Sequence, residues 1–130
     1  MSRNLNFPAR LRIKSQKDIA SIFDNANSLF VHPLLLKYEL HKLEPAVLCA
    51  PQFAVSVPKR NFRKAHDRNL IKRRIREAYR LNWRDYLPES TSYKFMMMFI
   101  LVGKEIPDYG ELEKGVKQLL GKLVNLSDEI

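Results

Sequence analysis

Cysteine is nearly absent from this 130-residue chain. With Cys49 alone, no internal disulfide and no thiolate metal site can form, which suits a reducing compartment. Glycine is scarce as well, with four residues, and neither a P-loop nor a Gly-rich phosphate cradle appears. The longest apolar run, Phe95–Val102, is too short to span a bilayer. The opening MSRNLNFPARL lacks the apolar core of a secretory signal. A cytoplasmic protein with no membrane association is expected. The histidines His32, His41 and His66 are scattered without metal-ligand spacing. His66 and Asp67 adjoin, but helical neighbours point about 100° apart and make no dyad. No Ser or Cys nucleophile pattern is present. Neither a catalytic side chain nor a metal site on the protein is expected.

What the chain does have is concentrated. Lys59–Arg84, KRNFRKAHDRNLIKRRIREAYRLNWR, holds eleven Lys and Arg against two acids, Asp67 and Glu77. Its net charge of +9 equals that of the whole protein, so the other residues balance, with twelve charges of each sign. Within the stretch, Ile71, Ile75, Ala78 and Tyr79 recur at i, i+4, i+7 and i+8, the apolar stripe of a helix. On a wheel of about 100° per residue, Asn69, Lys72, Arg73, Arg76 and Arg80 fill the adjoining arc and Arg68 lies at the edge of the stripe. Stacking Lys72, Arg76 and Arg80 at i, i+4 costs a few tenths of a kcal/mol per pair. A polyanion bound along that face offsets such a cost.

The remaining chain divides into short elements. A hydrophobic fraction of 45 % argues for a folded domain of ordinary size, and residues 1–130 are read as one domain. Residues 1–13 form an irregular basic segment. Ser15 and Asp18 resemble a capping box before a short helix whose Ile19, Ile22, Phe23 and Ala26 share a face. Read from the residues alone, Ile19 and Phe23 are core positions. A short strand at Ser28–Val31 precedes Pro33, which favours an edge. Leu34–His41 is the second strand, with Leu36, Tyr38 and Leu40 on one face, and its mixed alternation implies partial cover on both sides. Phe53–Val57 alternates as a third. Phe95–Val102 has no polar alternation and fits an inner strand. Asp108, with Glu111 three residues on, caps a last helix striped by Leu112, Val116, Leu119, Leu120 and Leu123. The order α-β-β-β-α-β-α describes an α+β sandwich, helices against a mixed sheet of about four strands.

A basic helix of this kind serves a solvated face, a membrane surface or a nucleic acid. The apolar stripe is needed for the sheet, which counts against a membrane, and Arg and Lys supply phosphate contacts. A DNA-reading helix-turn-helix requires a short helix just before the recognition helix. Here a strand precedes it, which favours RNA. A ribosome-type structural RNA-binding protein and a DNA-binding regulator are the alternatives.

AHDRNLIKRRIREAYR resembles the signature of the bacterial ribonuclease P protein family, A-x-x-R-N-x-x-K-R-x-x-R-E. Ala65, Arg68, Asn69, Lys72, Arg73, Arg76 and Glu77 fit it. The preceding VSVPKR is similar to the family's V-S-x-S-K-K, with Pro58 in place of the second Ser. The resemblance runs from Ser15 to about Leu123. It implies an RNA-binding subunit of an endoribonuclease that removes the 5′ leader of precursor tRNA, with chemistry belonging to the catalytic RNA and Mg²⁺ held mainly by that RNA. Expected partners are the catalytic RNA and precursor tRNA, with no obligate protein partner. It further implies a left-handed strand–helix–strand crossover, against the usual rule. The RNA-docking set is Arg68, Asn69, Lys72, Arg73 and Arg76, extended by Lys59, Arg60 and Arg80. The turn before the helix lacks the family's Gly and runs one residue longer, so either Arg63 or Lys64 takes the family's basic position. A cleft between the first helix and the sheet takes the leader at Ile19 and Phe23. Lys37 aligns there without a gap and Tyr38 with a one-residue slip, and these two point to opposite faces.

Overall fold

A computed structural model describes residues 27–42, 51–87 and 93–127. The basic segment 1–13, the helix expected after Ser15, and Ile19 and Phe23 with it, lie outside the described residues. The described elements are β1 (Asn27–Val31), β2 (Leu34–Lys42), β3 (Gln52–Ser56), α1 (Ala65–Tyr86), β4 (Tyr93–Leu101) and α2 (Tyr109–Ser127). From β1 onward this is the expected order, with boundaries moved by one to two residues at most strand ends.

The sheet runs β1-β2-β4-β3. β1 and β2 form an antiparallel hairpin in which Val31 pairs with Leu34, so His32 and Pro33 make the turn. β2 pairs antiparallel with β4, and β3 pairs parallel with it. β4 is therefore an inner strand, as its unbroken apolar run requires. α1 is the connection between the two parallel neighbours.

Period-two alternation sends β4 to both faces. Met97, Phe99 and Leu101 join the main core with Leu34, Leu36 and Phe53, while Met96 and Met98 are buried on the opposite face against Ala54 and Ile100. The helices complete the first face. Ile71, Ile75, Ala78 and Tyr79 of α1 are fully buried, as are Leu112, Val116, Leu119, Leu120 and Leu123 of α2. Each buried aliphatic side chain contributes about 1.5–3 kcal/mol, so the two stripes fix both helices. Aromatic rings fasten α1 to β3: Phe53 stacks on Tyr79 at 3.9 Å between centroids, and Tyr79 lies parallel to Trp83. The Asp108 carboxylate accepts from the Glu111 amide at 2.8 Å, the expected start of α2. Gly103, with φ +108°, lets the chain turn off β4 where a side chain would be strained.

Candidate nucleic-acid interface

α1 carries the basic stretch, and its packing sorts the cations. At its N-terminal end the carbonyl of Pro58 accepts from the amides of Asn61 and Phe62 at 3.2 and 3.3 Å. Phe62 is buried in the core, which anchors the longer turn without a glycine. Arg68 then reaches back, its Nη1 donating to the carbonyls of Phe62 at 2.8 Å and Arg63 at 2.9 Å. The guanidinium at the edge of the stripe thus closes the turn. Lys59, Arg60, Arg63 and Lys64 are all exposed on that turn, and both residues considered for the family's basic position reach solvent.

Along the helix, Asn69, Arg73 and Arg76 are exposed and Lys72 is half-buried. Arg80 differs from the solvent-facing cation read from the wheel. It is half-buried and paired through two nitrogens with Glu77, the Nε–Oε2 distance being 3.1 Å. That bond holds the guanidinium above its ordinary pKa and offsets its charge. Arg84 is a cation the wheel reading left out of the site. It is exposed, its guanidinium 5.2 Å from the centroid of the Trp83 ring. Four residues beyond Arg80 and eight beyond Arg76, it extends the same arc, and that spacing was readable. Arg74 turns the other way and donates to the Pro107 carbonyl at 2.8 Å, tying α1 to the loop before α2.

Behind the cationic arc a polar seam joins the helices. Asn82, buried, donates from Nδ2 to the Ala78 carbonyl at 2.7 Å and to Glu113 Oε2 at 3.3 Å. The Tyr109 hydroxyl donates to the same oxygen at 3.0 Å. These donors, Asn82 first, hold the Glu113 carboxyl below the usual carboxylate range. Burial, helped by that bond, pushes the Tyr109 phenol up to about 12.

On the sheet the register separates Lys37 from Tyr38. Tyr38 pairs with Met97 and packs on the main core, whereas Lys37 pairs with Met98 on the opposite face. Tyr38 therefore faces α1 and α2, so the two alternatives for the leader cleft lie on opposite faces of the sheet. Lys37 holds the position on the other face, half-buried. No catalytic arrangement accompanies these surfaces among the described residues. His66 Nδ1 and Asp67 Oδ1 are 3.7 Å apart, beyond hydrogen-bond distance. Among the same residues no three His, Cys, Asp or Glu come together as metal ligands, and no helix is long and apolar enough to cross a membrane.

The chain is similar throughout most of its length to one group of proteins. The family model described as Ribonuclease P matches residues 7–124. The ribonuclease P protein component of Porphyromonas gingivalis is 34 % identical over 112 residues, spanning 84 % of this chain and 80 % of that protein. Its counterpart in Photorhabdus laumondii is 28 % identical over 119 residues, covering 92 % and 88 %. Among solved structures, the RNase P protein from Thermotoga maritima superposes with a TM-score of 0.66 at 22 % identity, over 85 % of this chain and 96 % of that one. The Staphylococcus aureus RNase P protein gives 0.62 at 17 %, over 87 % and 94 %. At these identities the structures speak for the α+β fold alone.

Proposed function

Because the chain belongs to the ribonuclease P protein family, we propose a division of labour between its two surfaces in the maturation of tRNA 5′ ends. The chain is the RNA-binding protein subunit of an endoribonuclease complex, associated with the ribonuclease P RNA. The outer arc of α1 docks that RNA. Arg73, Arg76 and Asn69 face it directly, Lys72 flanks it, Arg84 lengthens it, and Lys59, Arg60, Arg63 and Lys64 continue it past the N-terminus. Arg68 contributes by shaping the turn that presents those four. Arg80, charge-paired with Glu77, stiffens the arc more than it attracts phosphate. Confinement of the excess charge to this one stretch is the observation that carries the reading, since phosphate contacts from one helix face position an RNA without reading bases.

The single-stranded leader of precursor tRNA lies on the sheet face that carries Lys37; the family resemblance adds Ile19 and Phe23, which are outside the described residues. The ions and the hydrolytic step are assigned to the RNA, as the family resemblance implies. The test is reconstitution with a bacterial ribonuclease P RNA at low Mg²⁺ and precursor tRNA as substrate. Cleavage restored by the wild-type chain, and lost with Arg73→Ala/Arg76→Ala, is the expected result. A chain that leaves the RNA inactive under those conditions contradicts the reading.

A further inference from the structure

One end of the sheet carries apolar surface that the surfaces above do not use. Phe30, on the edge strand β1, is 51 % exposed and meets His32 edge-on, ring centroids 6.3 Å apart. Leu29 and Val31 pack on the core, so Phe30 between them turns to the opposite face, the one that carries Lys37. Ser28 lies opposite Lys37 and Phe30 opposite Leu35, which makes Phe30 and Lys37 diagonal neighbours, within about 7–8 Å. His32 also borders a hollow of about 320 Å³ lined by Pro33, Val102, Lys104 and Ile106. Phe30, Val102 and Ile106 are three of the four large apolar side chains exposed among the described residues, and they collect at this one end. Scattered exposed apolar residues are ordinary, but a cluster marks an interaction site.

We propose that the Phe30–His32 pair and the adjoining hollow form a stacking site for an unpaired base of the precursor's 5′ leader, beyond the stretch at Lys37. The proposal rests on the leader-face reading above. Three observations favour a base as occupant. The Phe30 and His32 rings, with Pro33, Val102 and Ile106 beside His32, offer the kind of π and apolar surface on which single-stranded RNA is held. Phe30 shares the face of Lys37, and the hollow beside His32 lies at the end of the sheet, reaching the start of α2 through Pro107 and Glu111. Finally, Lys104 is outnumbered by Glu105 and Glu111 in the same hollow, so the site has no pull on phosphate and would take a base rather than the backbone. It should hold bases with little dependence on salt, unlike the α1 arc.

The experiment measures binding of the reconstituted holoenzyme to precursor tRNAs with stepwise shortened leaders, and to mature tRNA, at two salt concentrations. Phe30→Ala should weaken binding of long-leader precursors by about ten-fold, equally at both salts. Short-leader precursors and mature tRNA should bind as before. Phe30→Tyr should keep the full affinity. Phe30→Leu, which preserves apolar bulk on the edge strand and should melt like the wild type, should behave like Phe30→Ala. Unchanged long-leader binding in both loss variants overturns the proposal. So does a loss that extends to mature tRNA or to assembly with the catalytic RNA, which would place the base in that RNA. Loss of self-association with leader binding intact would overturn it in favour of a second copy. A wild-type holoenzyme with no preference for a leader defeats the leader-face reading itself. A preference that Phe30→Ala leaves intact defeats this proposal alone.

Discussion

Ile75 and Arg73 stand two residues apart on α1 and answer to different forces. Ile75 is fully buried against the sheet, and Ile75→Ala should cost about 2–5 kcal/mol through lost burial and the cavity left behind. Arg73 is exposed, so Arg73→Ala should change stability by less than about 0.5 kcal/mol. Urea melts of the two variants check the order. Arg68 belongs with neither. Its two charge-assisted bonds to turn carbonyls predict a loss of about 1–2 kcal/mol for Arg68→Ala, and a melt indistinguishable from that of Arg73→Ala would contradict the structural role. The stripe of Ile71, Ile75, Ala78 and Tyr79 was legible in the sequence because helical period alone selects it. The engagements of Arg68 and Arg80 were not. A wheel gives direction, but only coordinates show that a carbonyl or a carboxylate lies within reach. Lys37 and Tyr38 were undecided for a related reason: alternation separates the faces of a strand, and pairing with β4 tells which face the helices take.

At the scale of elements, α1 and α2 are joined by a seam that titrates. Glu113 has its folded pKa lowered, mainly by the Asn82 amide and then by the Tyr109 hydroxyl. A depressed carboxyl pKa contributes stability that is present above the unfolded value, about 4.3, and is lost as pH falls through the folded value. Glu113→Gln should therefore flatten the stability–pH curve in the acid range, measured by melts from neutral pH downward. A curve as steep as the wild type's would show that other carboxyls carry the dependence. Gly115 marks another close approach, where an added Cβ would sit 3.4 Å from Leu34 Cδ1. Alanine fits that space and restores helix propensity, whereas Gly115→Leu should overpack the seam with β2 by about 1–3 kcal/mol. Both α2 features bear on legibility. Its cap and stripe could be read from Asp108, Glu111 and the leucine spacing. Burial of Asn82 could not, because its partner lies 31 residues away.

For the whole molecule, charge and fold divide the work. The net +9 is carried by one stretch, and the sheet behind it holds that stretch as a stiff helix with its apolar side covered. The strand order required coordinates, since the position of β4 between β2 and β3 follows from register. The most direct test of the cationic arc is the salt dependence of binding to folded ribonuclease P RNA, for the wild type and for Arg73→Ala/Arg76→Ala. Affinity should fall steeply with salt, and the double variant should lower the logarithmic slope by about two, roughly one for each phosphate no longer neutralised. Duplex DNA of equal length should bind only at low salt. An unchanged slope in the double variant, or equal affinity for RNA and DNA at physiological salt, would contradict the claim that this face docks the RNA.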